Sequence, residues 1–411
     1  MKSDLNHLME INNLDALWII GSGQHNPAMV YLTGGGHFSN ADLFIRRGAD
    51  PVLFCNPMER DEAAKSGYAV RTFADYRPTE LLKQANGDQL QATIARYKLM
   101  FADLGLEAGR LGVYGQMDAG NAYAVMSGVE AAMPGLNFAA DLQGKILLAA
   151  MATKDEAEVD RIRRMGQITT QVVGETADFL SRHTVRGEVL VKKDGTPLTI
   201  GEVKGRINLL LAERGAENPE GTIFAIGRDA GVPHSAGASD DLLRLGQTIV
   251  FDIFPCEAGG GYYYDFTRTW CLGYAPDPAL ALYEDVKAVY QQIMTELRVG
   301  TVCKEFQVRT CELFEERGHA TVLSNPQTQA GYVHSLGHGL GLHVHERPFF
   351  GLTSADDDLL KPGVIVTIEP GLYYPERGLG VRLEDTVWVR PDGVMEILAP
   401  YPLDLVIPVG K

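Results

Sequence analysis

Phe251-Asp252-Ile253-Phe254-Pro255 and, beyond a Gly259-Gly260-Gly261 turn, Tyr262-Tyr263-Tyr264-Asp265-Phe266-Thr267-Arg268-Thr269 read as the two arms of a β-hairpin. Both arms are apolar and rich in aromatics, and the glycines supply the turn. With the centre between Ala258 and Gly259, Asp252 and Asp265 lie directly opposite each other. Residues paired in this way point to one face, with Cβ atoms about 4.5–5.5 Å apart. Two carboxylates that close repel unless a proton or a cation lies between them. Acids inside apolar strands are costly to keep without such a partner.

A second pair of strands repeats the pattern. Val364-Ile365-Val366-Thr367-Ile368-Glu369-Pro370-Gly371 runs out, and Gly380-Val381-Arg382-Leu383-Glu384-Asp385-Thr386-Val387-Trp388 returns. A centre between Glu376 and Arg377 sets Glu369 opposite Glu384 and turns Asp385 to the other face. A one-residue slip would exchange the two acids.

Between the two hairpins lies Val333-His334-Ser335-Leu336-Gly337-His338-Gly339-Leu340-Gly341-Leu342-His343-Val344-His345-Glu346, with four of the ten histidines of the chain. Imidazole is a common metal ligand, and the glycines beside His338 allow the backbone to approach a site closely. His343 and Glu346 read as solvated or supporting residues. Four carboxylates and one imidazole form a hard, oxygen-rich set that suits Mn²⁺, Co²⁺, Fe²⁺ or Zn²⁺. Two such ions about 3.5–4 Å apart activate a shared water and polarise a carbonyl, which makes amide or ester hydrolysis the expected chemistry.

The chain has 411 residues, more than one ordinary core accommodates. The first part alternates strand and helix candidates: Ala16–Ile20, Pro51–Cys55 and Leu111–Tyr114 as strands, Gln89–Leu104 as a helix, in a βαβ-like layer. Gly34-Gly35-Gly36 lacks the spacing of a phosphate-binding loop and reads as a plain loop. Thr153-Lys154-Asp155-Glu156 has the form of a capping box ahead of a helix reaching about Leu180. The expected division is 1–150 and 151–411. The second part has an internal rhythm in which helices precede an acid-bearing hairpin twice, as in a duplicated α+β domain.

A net charge of −16 repels nucleic acid and anionic lipid. Five scattered cysteines without a CxxC favour neither a disulfide framework nor a thiolate zinc site. No apolar run is long enough to span a membrane, and the first residues lack the pattern of a signal peptide. The expected location is the cytoplasm.

Three of these stretches resemble the creatinase/prolidase/methionine aminopeptidase superfamily, the M24 metallopeptidases: Asp252 with Tyr264-Asp265-Phe266-Thr267-Arg268-Thr269; Gly337-His338-Gly339-Leu340-Gly341-Leu342 with His345-Glu346; and Thr367-Ile368-Glu369-Pro370-Gly371 with Arg382-Leu383-Glu384-Asp385. The resemblance is closest to the Xaa-Pro peptidases, prolidase and aminopeptidase P. It implies an α+β chain with a C-terminal pita-bread domain and an α/β creatinase-type N-terminal domain, the latter marked by Leu14-Asp15-Ala16-Leu17 and Tyr31-Leu32-Thr33-Gly34. It also implies two divalent ions, manganese foremost, on Asp252, Asp265, His338, Glu369 and Glu384. Asp252 would hold one ion, His338 and Glu369 the other, with Asp265 and Glu384 bridging. His345 and His234 match substrate-facing histidines. The expected reaction is hydrolysis of an Xaa-Pro bond in a dipeptide or short peptide by a water bridging the ions, with Glu369 taking and returning the proton. Arg382 either binds a substrate carboxylate or neutralises the acids, and neutralisation is preferred. A homodimer is implied as well. The two aspartates stand two residues further apart than is usual in the family, which lengthens the hairpin tip and preserves the shared face. Competing readings are a non-proline aminopeptidase, a creatinase-like C–N hydrolase, and an inactive binding protein of the same fold.

Overall fold

The computed structural model describes residues 2–410, which form two compact units. Among the described residues, the first comprises 2–151 together with Gly259–Gly261, and the second holds the remainder. No helix among the described residues is long and apolar enough to cross a membrane.

The first unit is built on a six-stranded sheet in the order Ala69–Thr72, Val52–Cys55, Ala41–Arg46, Ala16–Gly21, Gly109–Gly115, Leu136–Ala139. The sheet is mixed, where a βαβ layer alone would be parallel. The three strands from Ala16 to Cys55 pair antiparallel, and the outer pairings are parallel. For the pairing of Ala41–Arg46 with Val52–Cys55 the reason is local: the two strands are joined by a short turn containing Gly48 at φ 73°, too short for a crossover helix. Tyr31-Leu32-Thr33 closes a helix, Pro27–Thr33, capped by Gly34 in the left-handed region.

Trp18 centres the core of this unit, stacked on Phe44 and edge-on to Tyr97 and Phe101. Beneath these rings lies the buried Asp42. It accepts hydrogen bonds from Trp18 Nε1 at 2.8 Å and from the Tyr97 hydroxyl at 3.2 Å. Burial raises its pKa to about 6, against the opposing pull of the Trp18 hydrogen bond and the Arg96 charge.

In the second unit the long helix Glu156–Ser181 begins two residues later than the sequence reading placed it. Its capping box is Asp155 with Glu158. Thr153 is unavailable as a cap because its backbone bridges to Val364, and the Lys154 amide donates to Gly363. Helices Glu156–Ser181 and Ile200–Ala212 precede a four-stranded sheet of Thr222–Ile226, Thr248–Ile253, Phe266–Leu272 and Val406–Ile407. Helices Asp277–Glu296 and Cys303–Glu315 precede a five-stranded sheet of Glu346–Phe349, His338–Gly339, Ile365–Ile368, Asp385–Val389 and Met395–Ile397. The two halves therefore repeat the order read from sequence. All five cysteines are buried free thiols.

The raised pKa of Asp42 has a defined sign. A carboxyl whose folded pKa lies above its unfolded value contributes fully to stability below the unfolded pKa, and that contribution is lost as pH rises through the folded value. Between pH 4 and pH 7 the first unit is expected to lose on the order of 3 kcal/mol from this group. Asp42→Asn stays neutral and should lack this loss. Calorimetry of both proteins across that range checks it, and a difference in Tm that does not change with pH would overturn the expectation.

Candidate metal centre

The first hairpin is centred between Gly259 and Gly260, one residue later than the sequence reading. Ile253 pairs with Phe266, and Asp252 pairs with Thr267, not with Asp265. The cause is the stretch after Ile253: Cys256–Glu257 pairs with Ala216–Glu217, and Cys256 bridges to Tyr263. The partner of Asp252 shifts by two residues, which preserves parity. Asp252 and Asp265 therefore keep to one face, diagonal to each other. Thr267, between them in the pattern, faces the same way.

The second hairpin has the expected register. Ile368 pairs with Asp385 and Gly371 with Arg382, so Glu369 and Glu384 face each other at the break between the two ladders. Asp385 points to the opposite face, where Arg268 donates at 2.9 Å and the Tyr290 hydroxyl at 2.5 Å. Glu384 joins the two sheets: its amide donates to the Thr267 carbonyl at 3.1 Å, and the Thr267 hydroxyl donates to its Oε2 at 2.6 Å.

These strands gather the acids around one imidazole. Asp265, His338 and Glu384 each offer a ligand atom within 4.8 Å of the others, and all three are buried. His338 Nε2 is 3.7 Å from Asp265 Oδ2 and 3.4 Å from Glu369 Oε1. Its Nδ1 lies 3.0 Å from the Gly339 carbonyl. A carbonyl only accepts, so Nδ1 carries the proton and Nε2 turns a lone pair toward the carboxylates. Burial lowers the His338 pKa to about 3, with His345 adding to the effect, so the ring is neutral. Asp252 stands beside this group, held by Arg382 at 2.5 Å.

The electrostatics are those of acids crowded into an apolar interior. Burial first, then the charges of Asp252 and Glu369, hold Asp265 well above the ordinary carboxylate range. Burial first, then Asp265, Glu369 and Asp252, does the same to Glu384. Burial raises Glu369 to about 8, with Arg382 opposing. One oxygen on each of Asp252, Asp265 and Glu384 is buried without a hydrogen-bond partner. Acceptor-only atoms facing one another in this way fit divalent cations, and hard oxygen with one imidazole is a suitable donor set.

Arg382 is buried, and its guanidinium donates four hydrogen bonds, to Asp252, Thr267, the Pro233 carbonyl and the Tyr373 hydroxyl. That arrangement suits neutralisation of the acids and leaves little of the guanidinium for a substrate carboxylate. The His345 ring lies 4.3 Å from that of His338, centroid to centroid. His234 Nε2 is 3.0 Å from His334 Nε2. His334 belongs to the histidine-rich run, and the sequence assigns it no role. Its Nδ1 lies 3.5 Å from Glu369 Oε2, and burial lowers its pKa to about 3. Its position in that run, four residues before His338, was the only signal for it. Of the two readings of Glu346, solvated or supporting, the structure fits the second, because its carboxylate is fully buried against Lys154.

Known proteins resemble the chain in both sequence and fold. It is 33% identical over 197 residues to an Xaa-Pro dipeptidase of Pyrococcus furiosus, covering 48% of this chain and 52% of that protein. It is 29% identical over 266 residues to a probable dipeptidase, PepE, of Mycobacterium tuberculosis, covering 64% and 63%. The matches thus span between half and two thirds of these relatives' length. A dipeptidase structure from Pyrococcus horikoshii superposes with a TM-score of 0.74 at 23% identity, over 98% of this chain and 99% of that one. An X-Pro aminopeptidase structure from Thermotoga maritima gives 0.73 at 22%, over 100% and 99%. At these identities the likeness speaks for the fold, the pita-bread fold of prolidase-type proteins. The model of metallopeptidase family M24 matches residues 160–391, more than half of the chain, and the chain belongs to that family.

Proposed function

We propose that this protein hydrolyses Xaa-Pro peptide bonds in dipeptides or short peptides, with two divalent ions, manganese foremost, held by Asp252, Asp265, His338, Glu369 and Glu384. The observation that carries the reading is the set of three buried, partnerless carboxylate oxygens beside the neutral imidazole of His338. When bound, the ions supply an activated water and polarise the scissile carbonyl. Relatives named Xaa-Pro dipeptidase and X-Pro aminopeptidase support proline as the residue after the cut. The reading includes a homodimer, as the family resemblance implies, in the cytoplasm.

The residues of the chain take distinct parts in it. Glu369 takes a proton from the attacking water and returns it to the proline nitrogen as the bond breaks. The Thr367 hydroxyl, which donates to Glu369 Oε1 at 3.4 Å, supports that part by orienting the carboxylate. His345 and His234 bind the substrate and donate hydrogen bonds as negative charge develops on its carbonyl oxygen. Arg382 offsets the acid charge at Asp252 without touching substrate.

Side-by-side assays of an Xaa-Pro dipeptide and an Xaa-Pro-Yaa tripeptide test the reading. Cleavage is expected to be lost on chelation and restored by Mn²⁺, and the preferred length names the substrate class. Absence of cleavage of either peptide by the metal-loaded protein would overturn it. Glu369→Gln is expected to cut kcat by at least about 10²-fold, the scale of a lost general base, and near-normal turnover would remove Glu369 from proton transfer. Chelation should also lower Tm, because the acids then repel unscreened. Ion at 100 times its Kd stabilises by about 2.7 kcal/mol, and a Tm indifferent to Mn²⁺ would speak against a built site.

A further inference from the structure

Lys154 and Glu346 form an ion pair at 2.8 Å, with side chains 1% and 0% exposed. They are 192 positions apart in the chain. Neither is in the set of acids, histidines and Arg382 described above. Burying two charges costs several kcal/mol per ion, and an apolar pair of similar volume often serves stability as well or better. What an apolar pair cannot do is accept hydrogen bonds. The second oxygen of Glu346 accepts from the amides of Leu342 at 2.8 Å and His343 at 3.1 Å. A side chain at Gly341 would put its Cβ 2.5 Å from the Glu346 carboxylate, so the loop closes tightly around this group.

The loop so held carries one contact to the metal centre: the ring of His345, adjacent to Glu346, lies 4.3 Å from that of His338, centroid to centroid, at a tilt of 56°. At the other end, Lys154 is fixed by its own backbone. Its amide donates to Gly363, Thr153 bridges to Val364, and Asp155 caps the long helix. The first turns of the same helix also hold the second site-bearing segment. Glu158 accepts from the Tyr262 hydroxyl at 2.5 Å, and Arg161 pairs with Glu257. The Tyr263 amide then donates to the Gly341 carbonyl at 2.8 Å, which ties the two segments together.

We propose that Lys154 and Glu346 are a positioning pair: Lys154 keeps the Glu346 carboxylate turned to the amides of Leu342 and His343, and the loop thereby sets His345 and the ring of His338 for the reaction. The inference rests on the proposed peptidase reading for its kinetic consequence, and on the loop geometry alone for its structural one. Neither residue touches substrate, and the effect falls on turnover more than on binding because the hydrogen bond from His345 strengthens as negative charge develops on the substrate carbonyl oxygen.

Three variants test it: Lys154→Met, Lys154→Arg, and the double variant Lys154→Met/Glu346→Gln. The double variant removes both charges and keeps an acceptor oxygen for the loop amides. The readouts are kcat and KM on an Xaa-Pro peptide, bound metal per chain, and hydrogen exchange at Leu342 and His343. Lys154→Met is expected to lose about 10²-fold in kcat, the scale of a displaced catalytic group, with KM within about threefold. Bound metal should be unchanged, and exchange at the two amides should quicken. The double variant should recover at least about tenfold of that kcat and slow the exchange again, and Lys154→Arg should lie close to wild type. Wild-type kcat in Lys154→Met, or equal losses in single and double variants with unaltered exchange, would overturn the proposal. If Lys154→Met fails to fold, the double variant and Lys154→Arg decide by the same readouts. If wild type cleaves no Xaa-Pro peptide, the peptidase reading fails, and exchange at Leu342 and His343 in the variants still decides the pair.

Discussion

Four carboxylates in one apolar interior set the terms for the second unit. Asp252, Asp265, Glu369 and Glu384 are all buried, and at Asp265, Glu369 and Glu384 burial works against a lone negative charge. Only one arginine, Arg382, reaches in to offset them among the described residues, and it is bound directly to Asp252. The remaining unpaired oxygens find no donor in the protein. Such an arrangement is stable only with further positive charge, supplied by protons or by cations. The strands, the threonines and the surrounding tyrosines are arranged to hold that unfavourable cluster in place.

Strand alternation does much of the holding. Thr267 and Arg268 are neighbours on one strand, and Glu384 and Asp385 are neighbours across from them. Thr267 meets Glu384 on the site face, and Arg268 meets Asp385 on the other. The same short crossing thus provides one contact for chemistry and one buried ion pair for the fold. Arg268 also donates to the carbonyls of Glu384, Tyr401 and Pro402, so the ends of several segments converge on one guanidinium. A substitution at Arg268 would disturb the backbone that carries Glu384 without touching the acid cluster itself.

The histidine-rich run shows a different device. Its segment around His334 is tied down by Gln307, which accepts from the Leu336 amide at 2.6 Å and donates to the His334 carbonyl. Its segment around His345 is held by Glu346 and Lys154. The glycines between these anchors bring backbone against backbone: a Cβ at Gly337 would lie 2.0 Å from the Thr367 carbonyl oxygen. Close approach of this kind brings His338 within reach of acids on two separate hairpins.

The sequence alone determined the acid-bearing hairpins, their face parity and the choice of Glu384 over Asp385, because the side-chain period of a strand is two and the position of the turn sets the parity of the pairing. It determined the order of helices and sheets in the second unit for a similar reason, since local periodicity carries it. Only the tertiary structure decided the register of the first hairpin, where pairing of Cys256–Glu257 with a distant strand moved the centre by one residue. It alone decided the start of the long helix, where a bridge to Val364 claimed Thr153. It also gave Glu346 and His334 their places, through Lys154 at one and through His234 and Glu369 at the other. These are contacts between residues from 35 to 211 positions apart. Periodicity is blind at that range, because it records which way a side chain points and not what it meets there.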